Sequence, residues 1–214
     1  MNFTDFKKQV VKIKNLNLPG PEAHFKMEPE MRRVAREQHA DRLKKARKAA
    51  VLALFYPKGA ANSTHLLLIL RKTYKGVHSN QVGFPGGKVE KTDANLLATA
   101  LRETQEEVGV TPAEVELVRE LTDLYIPPSN FLVQPYLGLY ANPKPFIKDP
   151  VEVERLVEVD LTNFLSSASL IEEKMNTSYG SDIMVPAFKL NGYTVWGATA
   201  MMLNEIKHLI KQVL

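Results

Sequence analysis

With 214 residues, 44% hydrophobic and 24% charged, the chain has enough apolar mass for one sizeable domain with an appended segment. A net charge of +4 suits a polyanionic small molecule as well as nucleic acid and alone decides nothing. The absence of cysteine excludes disulfides, a thiol nucleophile and thiolate metal sites, and no apolar run approaches the ~18 residues of a membrane helix.

In the first 16 residues lysines interrupt any apolar core, so no signal peptide is expected and a cytoplasmic location is. Phe3, Phe6, Val10 and Ile13 recur at helical spacing and predict a short amphipathic helix, ended by Leu18-Pro19-Gly20-Pro21. Residues 31–48 (MRRVAREQHADRLKKARK) form a basic run that reads as a solvated helix. Without interleaved aromatics it does not predict a nucleic-acid partner. Residues 1–48 are read as an N-terminal helical extension and 49–214 as the main domain. A homodimer is compatible with the sequence, and a membrane partner is not expected.

Residues 49–56 (AAVLALFY) and 65–71 (HLLLILR) are apolar runs joined by PKGAANST, a predicted strand pair. Their near-continuous apolarity predicts central strands covered on both faces. The chain then turns polar through RKTYKGVHSNQVG. There Arg71, Lys72, Lys75 and His78 can line one approach to the following loop and hold a phosphate.

Residues 83–110, GFPGGKVEKTDANLLATALRETQEEVGV, read as loop, helix and stop. Asp93 is the predicted N-cap, and Gly109 sits where a left-handed residue ends a helix. At about 100° per residue, Leu97, Leu101 and Val108 fall on one stripe, the expected core side. Glu103, Glu106 and Glu107 share an arc beside it. Three like charges on a half-buried face at a helix C-terminus are costly unless something cationic neutralises them. Hard oxygen ligands suit Mg²⁺ or Mn²⁺. The alternative is a solvated charged helix end. Gly86 and Gly87 weigh against it, because they permit close approach of a ligand and free main-chain oxygens to face a metal. Arg102 can pair with Glu106 or reach back to Asp93.

Further on, residues 115–126 predict one or two strands, 127–130 (PPSN) a loop and 131–140 another strand. The acidic segment DPVEVE, with Glu152, Glu154 and Glu158 as candidate acids, precedes RLVEVDLTNFL. Residues 184–190 and 193–196 flank Asn191-Gly192, a hairpin signal within 179–196. Residues 197–214 predict a terminal helix, apolar at Met201, Ile206, Leu209, Ile210 and Leu214.

The 83–110 stretch resembles the Nudix box at Gly87, Arg102, Glu103, Glu106, Glu107, Gly109 and Val110. It departs in three places. Asp93 stands for the first Glu, eight residues rather than seven separate it from Arg102, and Thr104 replaces an apolar residue. The first two departures are shared with the coenzyme A pyrophosphatase branch. That branch is further suggested by Phe84-Pro85-Gly86-Gly87-Lys88, by Ala100-Leu101-Arg102-Glu103, by Arg71, His78 and Gln81, and by the VWGATA join. Gly76 and Asn80 depart from its signature, as do Asn130 in a Gly slot and Arg155 where an acid is expected. The resemblance spans about 49–209.

It implies an α/β fold, a Nudix-type α/β/α sandwich with a mixed β-sheet, hydrolysing the diphosphate bond of a small molecule. The implied substrate is coenzyme A or acyl-coenzyme A, split to phosphopantetheine and adenosine 3′,5′-bisphosphate. Glu103, Glu106, Glu107 and the Gly87 carbonyl would hold Mg²⁺ or Mn²⁺. Glu103 would orient or deprotonate water, and Arg102 would position the carboxylates. Arg71, His78, Gly86 and Gly87 would bind substrate, with Glu152 a further acid. The alternatives are a Nudix pyrophosphatase acting on ADP-ribose or NADH, and a catalytically silent Nudix-fold binding module.

Overall fold

Two strands at the centre decide the architecture. In the computed structural model, which describes residues 1–29, 40–73, 80–177 and 180–214, β1 (Arg47–Lys58) and β2 (Ser63–Arg71) pair antiparallel with Leu54 opposite Leu67. Successive side chains of a strand point to opposite faces. In β1, Ala49, Ala53 and Phe55 therefore enter the larger of two buried clusters, while Ala50, Leu52, Leu54 and Tyr56 enter the smaller. In β2, Leu66 and Leu68 join the larger and Leu67 and Ile69 the smaller. The expected coverage on both faces is present.

The other edge of β1 runs parallel to β7 (Phe131–Leu139), in register from Arg47↔Phe131 to Phe55↔Leu139. The sheet is mixed, because the remaining pairings are antiparallel. β3 (Val82–Gly83) and β8 (Val153–Asp160) pair with β2. β4 (Gly86–Lys88) pairs with β1. β5 (Glu116–Glu120) and β6 (Leu124–Ile126) pair with β7.

Helices close both faces. α1 (Phe3–Val10) and α6 (Gly197–Val213) supply Phe6, Val10, Met201, Ile206, Leu209 and Ile210 to the larger cluster. α4 (Leu96–Val108) covers the smaller cluster with Ala100 and Val108. The result is the expected helix–sheet–helix sandwich. Asn2 caps α1 by accepting the Thr4 amide at 2.9 Å, and the Phe6 ring lies 5.0 Å from that of Phe55. α2 (Pro21–Phe25), opened by a proline at its first turn, docks on α6. There His24 Nε2 lies 3.0 Å from the fully buried Glu205. α3 (Ala40–Leu43) and α5 (Leu161–Leu165) are short.

A second, three-stranded sheet follows: β9 (Leu170–Thr177), β10 (Gly180–Leu190) and β11 (Tyr193–Trp196). The predicted Asn191-Gly192 turn joins β10 to β11, both residues having positive φ (50° and 84°). β9 has no counterpart in the sequence reading. Leu214, expected on the core face of the last helix, is 48% exposed. The basic helix expected over 31–48 lies largely outside the described residues, and within it β1 already begins at Arg47. The start of the expected 179–196 hairpin, Tyr179, is likewise outside them. Among the described residues no helix is long and apolar enough to cross a membrane.

Candidate active site

The α4 helix begins two residues later than the sequence predicts. Asn95, not Asp93, is the cap: its extended backbone lets Oδ1 accept the Ala98 amide at 2.9 Å. Asp93 is committed elsewhere. Its two oxygens take Arg102 Nε at 2.9 Å and Nη2 at 3.0 Å, and Oδ2 also accepts the Glu90 amide and the Thr99 hydroxyl. The Arg102 fork, more than those two bonds, holds this carboxyl well below the usual carboxylate range. The helix ends as expected at Gly109, φ 76°, whose amide donates to Gln105 O.

The buried stripe is also displaced from the predicted one. Thr99, Ala100, Thr104, Glu107 and Val108 are buried, whereas Leu97 and Leu101 are half-exposed at its edge. Both threonines satisfy their hydroxyls locally, Thr104 Oγ1 donating to Ala100 O at 2.7 Å. Thr104 thus occupies an apolar slot of the box without an unpaired polar atom.

The three acids grade from interior to solvent, with side-chain exposures of 2% for Glu107, 14% for Glu103 and 58% for Glu106. Glu107 Oε2 accepts the Gly86 amide at 2.8 Å. Its other oxygen lies 3.1 Å from Arg71 Nη1 but has no aligned donor, and is a buried oxygen without a hydrogen bond. Burial pushes the Glu107 carboxyl up to about 7, against the pull of Arg71 and the Gly86 amide; Glu103 and Glu152 push the same way. Glu103 is raised too, chiefly by burial, with Arg102 opposing and Glu106 and Glu152 adding to it.

Arg102 Nη1 touches Glu106 at 2.9 Å and Glu103 at 3.0 Å, while Nη2 donates to Lys88 O at 3.1 Å. Both partners expected of Arg102, Glu106 and Asp93, are engaged at once. Arg71 donates to Gly86 O at 2.7 Å besides facing Glu107, so it braces the glycine loop. From the sequence, a divalent cation and a pairing of Arg102 with Glu106 or Asp93 were expected to answer the acids; the part played by Arg71 was not. In the fold two guanidinium groups already answer four carboxylates: Asp93, Glu103, Glu106 and Glu107. The carboxylates outnumber the guanidinium groups, by two when Glu107 is ionised.

Gly87 lies against Glu103. A methyl group at Gly87 would come within 2.6 Å of Glu103 Oε1 and overlap the rest of the carboxylate. Among the described residues no three His, Asp or Glu side chains converge as a ready-made metal cage. The donor set nonetheless fits a hard divalent cation: a buried carboxylate oxygen without a hydrogen bond, a second carboxylate beside a glycine backbone, and carboxylates in excess of cations.

Glu152 precedes β8 in the turn where Asp149 Oδ1 accepts its amide, and its charge is felt by both Glu103 and Glu107. Its rivals are engaged elsewhere, Glu154 with Lys72 at 3.2 Å and Glu158 with Lys58 at 3.0 Å and the Tyr56 hydroxyl. Asn80 and Asn130 have φ of 56° and 53°, as their glycine-like slots require. Lys75, Gly76 and His78 lie outside the described residues.

A cavity of about 460 Å³ opens beside the loop. Arg71, Gly86, Gly87 and Lys88 contribute to its lining, together with residues of β6, β7, β9, β11 and the start of α6. The share of the β9–β11 sheet in this lining was not expected from the sequence.

A model described as the NUDIX domain matches residues 44–168. The chain is 35% identical over 145 residues to the Nudix hydrolase NudL of Salmonella paratyphi B, covering 66% of this chain and 72% of that one. It is 30% identical over 146 residues to NudL of Photorhabdus laumondii, covering 68% and 77% respectively. In fold it is similar to a MutT/nudix family protein from Enterococcus faecalis, with a TM-score of 0.53 at 17% identity, over 78% of this chain and 62% of that one.

Proposed function

The chain belongs to the Nudix family and is a Nudix hydrolase, and on that premise we propose that it cleaves the diphosphate bond of coenzyme A or acyl-coenzyme A with Mg²⁺ or Mn²⁺. One observation carries the choice of substrate. The segments that resemble the coenzyme A branch are far apart in sequence, yet line a single cavity: Arg71 and Gln81, residues 84 and 86–88, Pro128, and residues 196–199.

Glu103, Glu106, Glu107 and the Gly87 carbonyl are the proposed metal donors, with Glu152 a further acid. A cation held there would supply charge to neutralise diphosphate oxygens and would lower the pKa of a bound water. The chain's own groups do the rest. Glu103, with its raised pKa, orients the attacking water or takes its proton. Arg102, itself held by Asp93, anchors Glu103 and Glu106 through one guanidinium nitrogen. Arg71 fixes the loop through Gly86 O and balances Glu107, and from the rim of the cavity it faces a substrate phosphate. Glu107 holds the Gly86 amide, so the loop and the helix tip move as one unit.

The test is a panel of coenzyme A, ADP-ribose and NADH incubated with Mg²⁺. Coenzyme A is expected to yield phosphopantetheine and adenosine 3′,5′-bisphosphate, and Glu107→Gln to abolish this in a folded protein. Preferential cleavage of ADP-ribose or NADH would replace the substrate. Intact metal binding with no turnover of any diphosphate would leave a binding module.

A further inference from the structure

Resting on the coenzyme A reading, we infer that the cavity takes the uncharged pantetheine arm of the substrate rather than its 3′-phosphorylated nucleoside, and that Trp196, Ala198 and Met202 set the selectivity for that arm. The cavity is continuous with the cleavage loop, since Gly86, Gly87 and Arg71 are among the residues that line it. Most of the remaining lining is apolar, with Ile126, Phe131, Val133, Trp196, Ala198 and Met202, and its polar side chains, among them Asn176, Thr177 and Thr199, are uncharged. Among the described residues that line it, Arg71 and Lys88 alone are ionisable; Lys88 belongs to the glycine loop and Arg71 donates to it at Gly86 O.

The two halves of the substrate differ in what such a space can accept. The nucleoside half carries a second phosphate on its ribose. Among the described residues the only cations of the lining, Arg71 and Lys88, sit at the glycine loop, and moving that dianion among the remaining apolar side chains is strongly unfavourable. The pantetheine half bears no charge beyond the diphosphate, and its methyl and methylene groups gain by leaving water. A volume of about 460 Å³ is in the usual range of roughly 300–1,000 Å³ for small-molecule sites. Trp196, Ala198 and Met202 lie beyond residues 44–168, the span matched by the family model. They are therefore supplied by the part of this chain that the shared domain does not include.

Trp196 is the chain's one tryptophan, so its fluorescence reports directly on that wall. Phosphopantetheine titrated into the wild-type protein is expected to shift the emission, and adenosine 3′,5′-bisphosphate to leave it unchanged. Ala198→Trp, which fills the half-exposed wall position, is expected to raise the KM for coenzyme A about tenfold while kcat stays within about threefold. A shift caused by the bisphosphate instead overturns the inference. So does an unchanged emission with phosphopantetheine in a protein that hydrolyses coenzyme A. Coenzyme A left intact while ADP-ribose is cleaved removes the underlying reading, and the inference falls with it. The wild-type titration stands even if the variant does not fold.

Discussion

Replacing Gly86 and Gly87 in turn by alanine separates the two jobs of the loop. Gly86 has φ 145°, and a methyl group there would lie 2.6 Å from Val51 Cα and overlap the Ala50 carbonyl oxygen. Both obstacles are main chain of β1, which is hydrogen-bonded to β2, β4 and β7 and cannot recede. Overpacking costs about 1–3 kcal/mol, and the left-handed backbone adds about 1–2 kcal/mol. At about 2–4 °C per kcal/mol for a chain of this size, Gly86→Ala should lower Tm by about 10 °C. At Gly87 the obstacle is only the end of the Glu103 side chain. Turning it off its rotamer costs about 0.5–1.5 kcal/mol, so Tm falls by a few degrees at most. The same turn takes the proposed base from its post, and kcat should drop about 100-fold. Thermal melts and coenzyme A turnover on both variants check this. A Gly87→Ala enzyme with wild-type kcat, or equal Tm losses in the two variants, would refute the reasoning.

Burial raises the Glu107 carboxyl to about 7. Its proton therefore stabilises the folded chain at low pH, and that contribution fades as pH rises through about 7. In chelator, Glu107→Gln should gain stability relative to wild type between pH 5 and pH 8.5, by up to about 3 kcal/mol; a gap that does not move with pH contradicts the assignment. Asp93→Ala frees Arg102 and should cost about 1–3 kcal/mol in urea unfolding, with lower turnover because Glu103 and Glu106 lose their anchor. The Asp93 pKa is depressed, so in wild type this contribution should persist above about pH 4 and vanish only in stronger acid. An acid-insensitive difference would count against it. Phe6→Ala removes a fully buried ring packed on Phe55 and should cost about 3–5 kcal/mol in a single transition. A separate early transition would show that α1 unfolds on its own.

Strand periodicity made the central sheet legible, because alternation and continuous apolarity respond to local geometry that any covered sheet imposes. The tip of α4 was legible for a different reason: three acids at i, i+3 and i+4 cannot avoid sharing a face. Contacts across the chain were not. Asp93 and Asn95 are equally good caps, and only the arrival of Arg102 decides that Asp93 is occupied. Thr99 and Thr104 look like surface residues until their hydroxyls find Asp93 and Ala100 O. Arg71 read as a phosphate ligand, and its ion pair with Glu107 depends on β2 and α4 meeting. LIEEKMNT in β9 has a half-exposed, heavily charged pattern, with little to mark it as a strand.

The larger cluster joins Phe3, Phe6 and Val10 to Met201, Leu203, Ile206 and Leu209. During synthesis the first group leaves the ribosome well before its partners exist. Until residues 197–213 have emerged, two phenylalanine rings and one face of the sheet stay open to water and to other chains. Cooperative folding should therefore begin only once α6 is complete, and chains stalled before it are natural clients for chaperones.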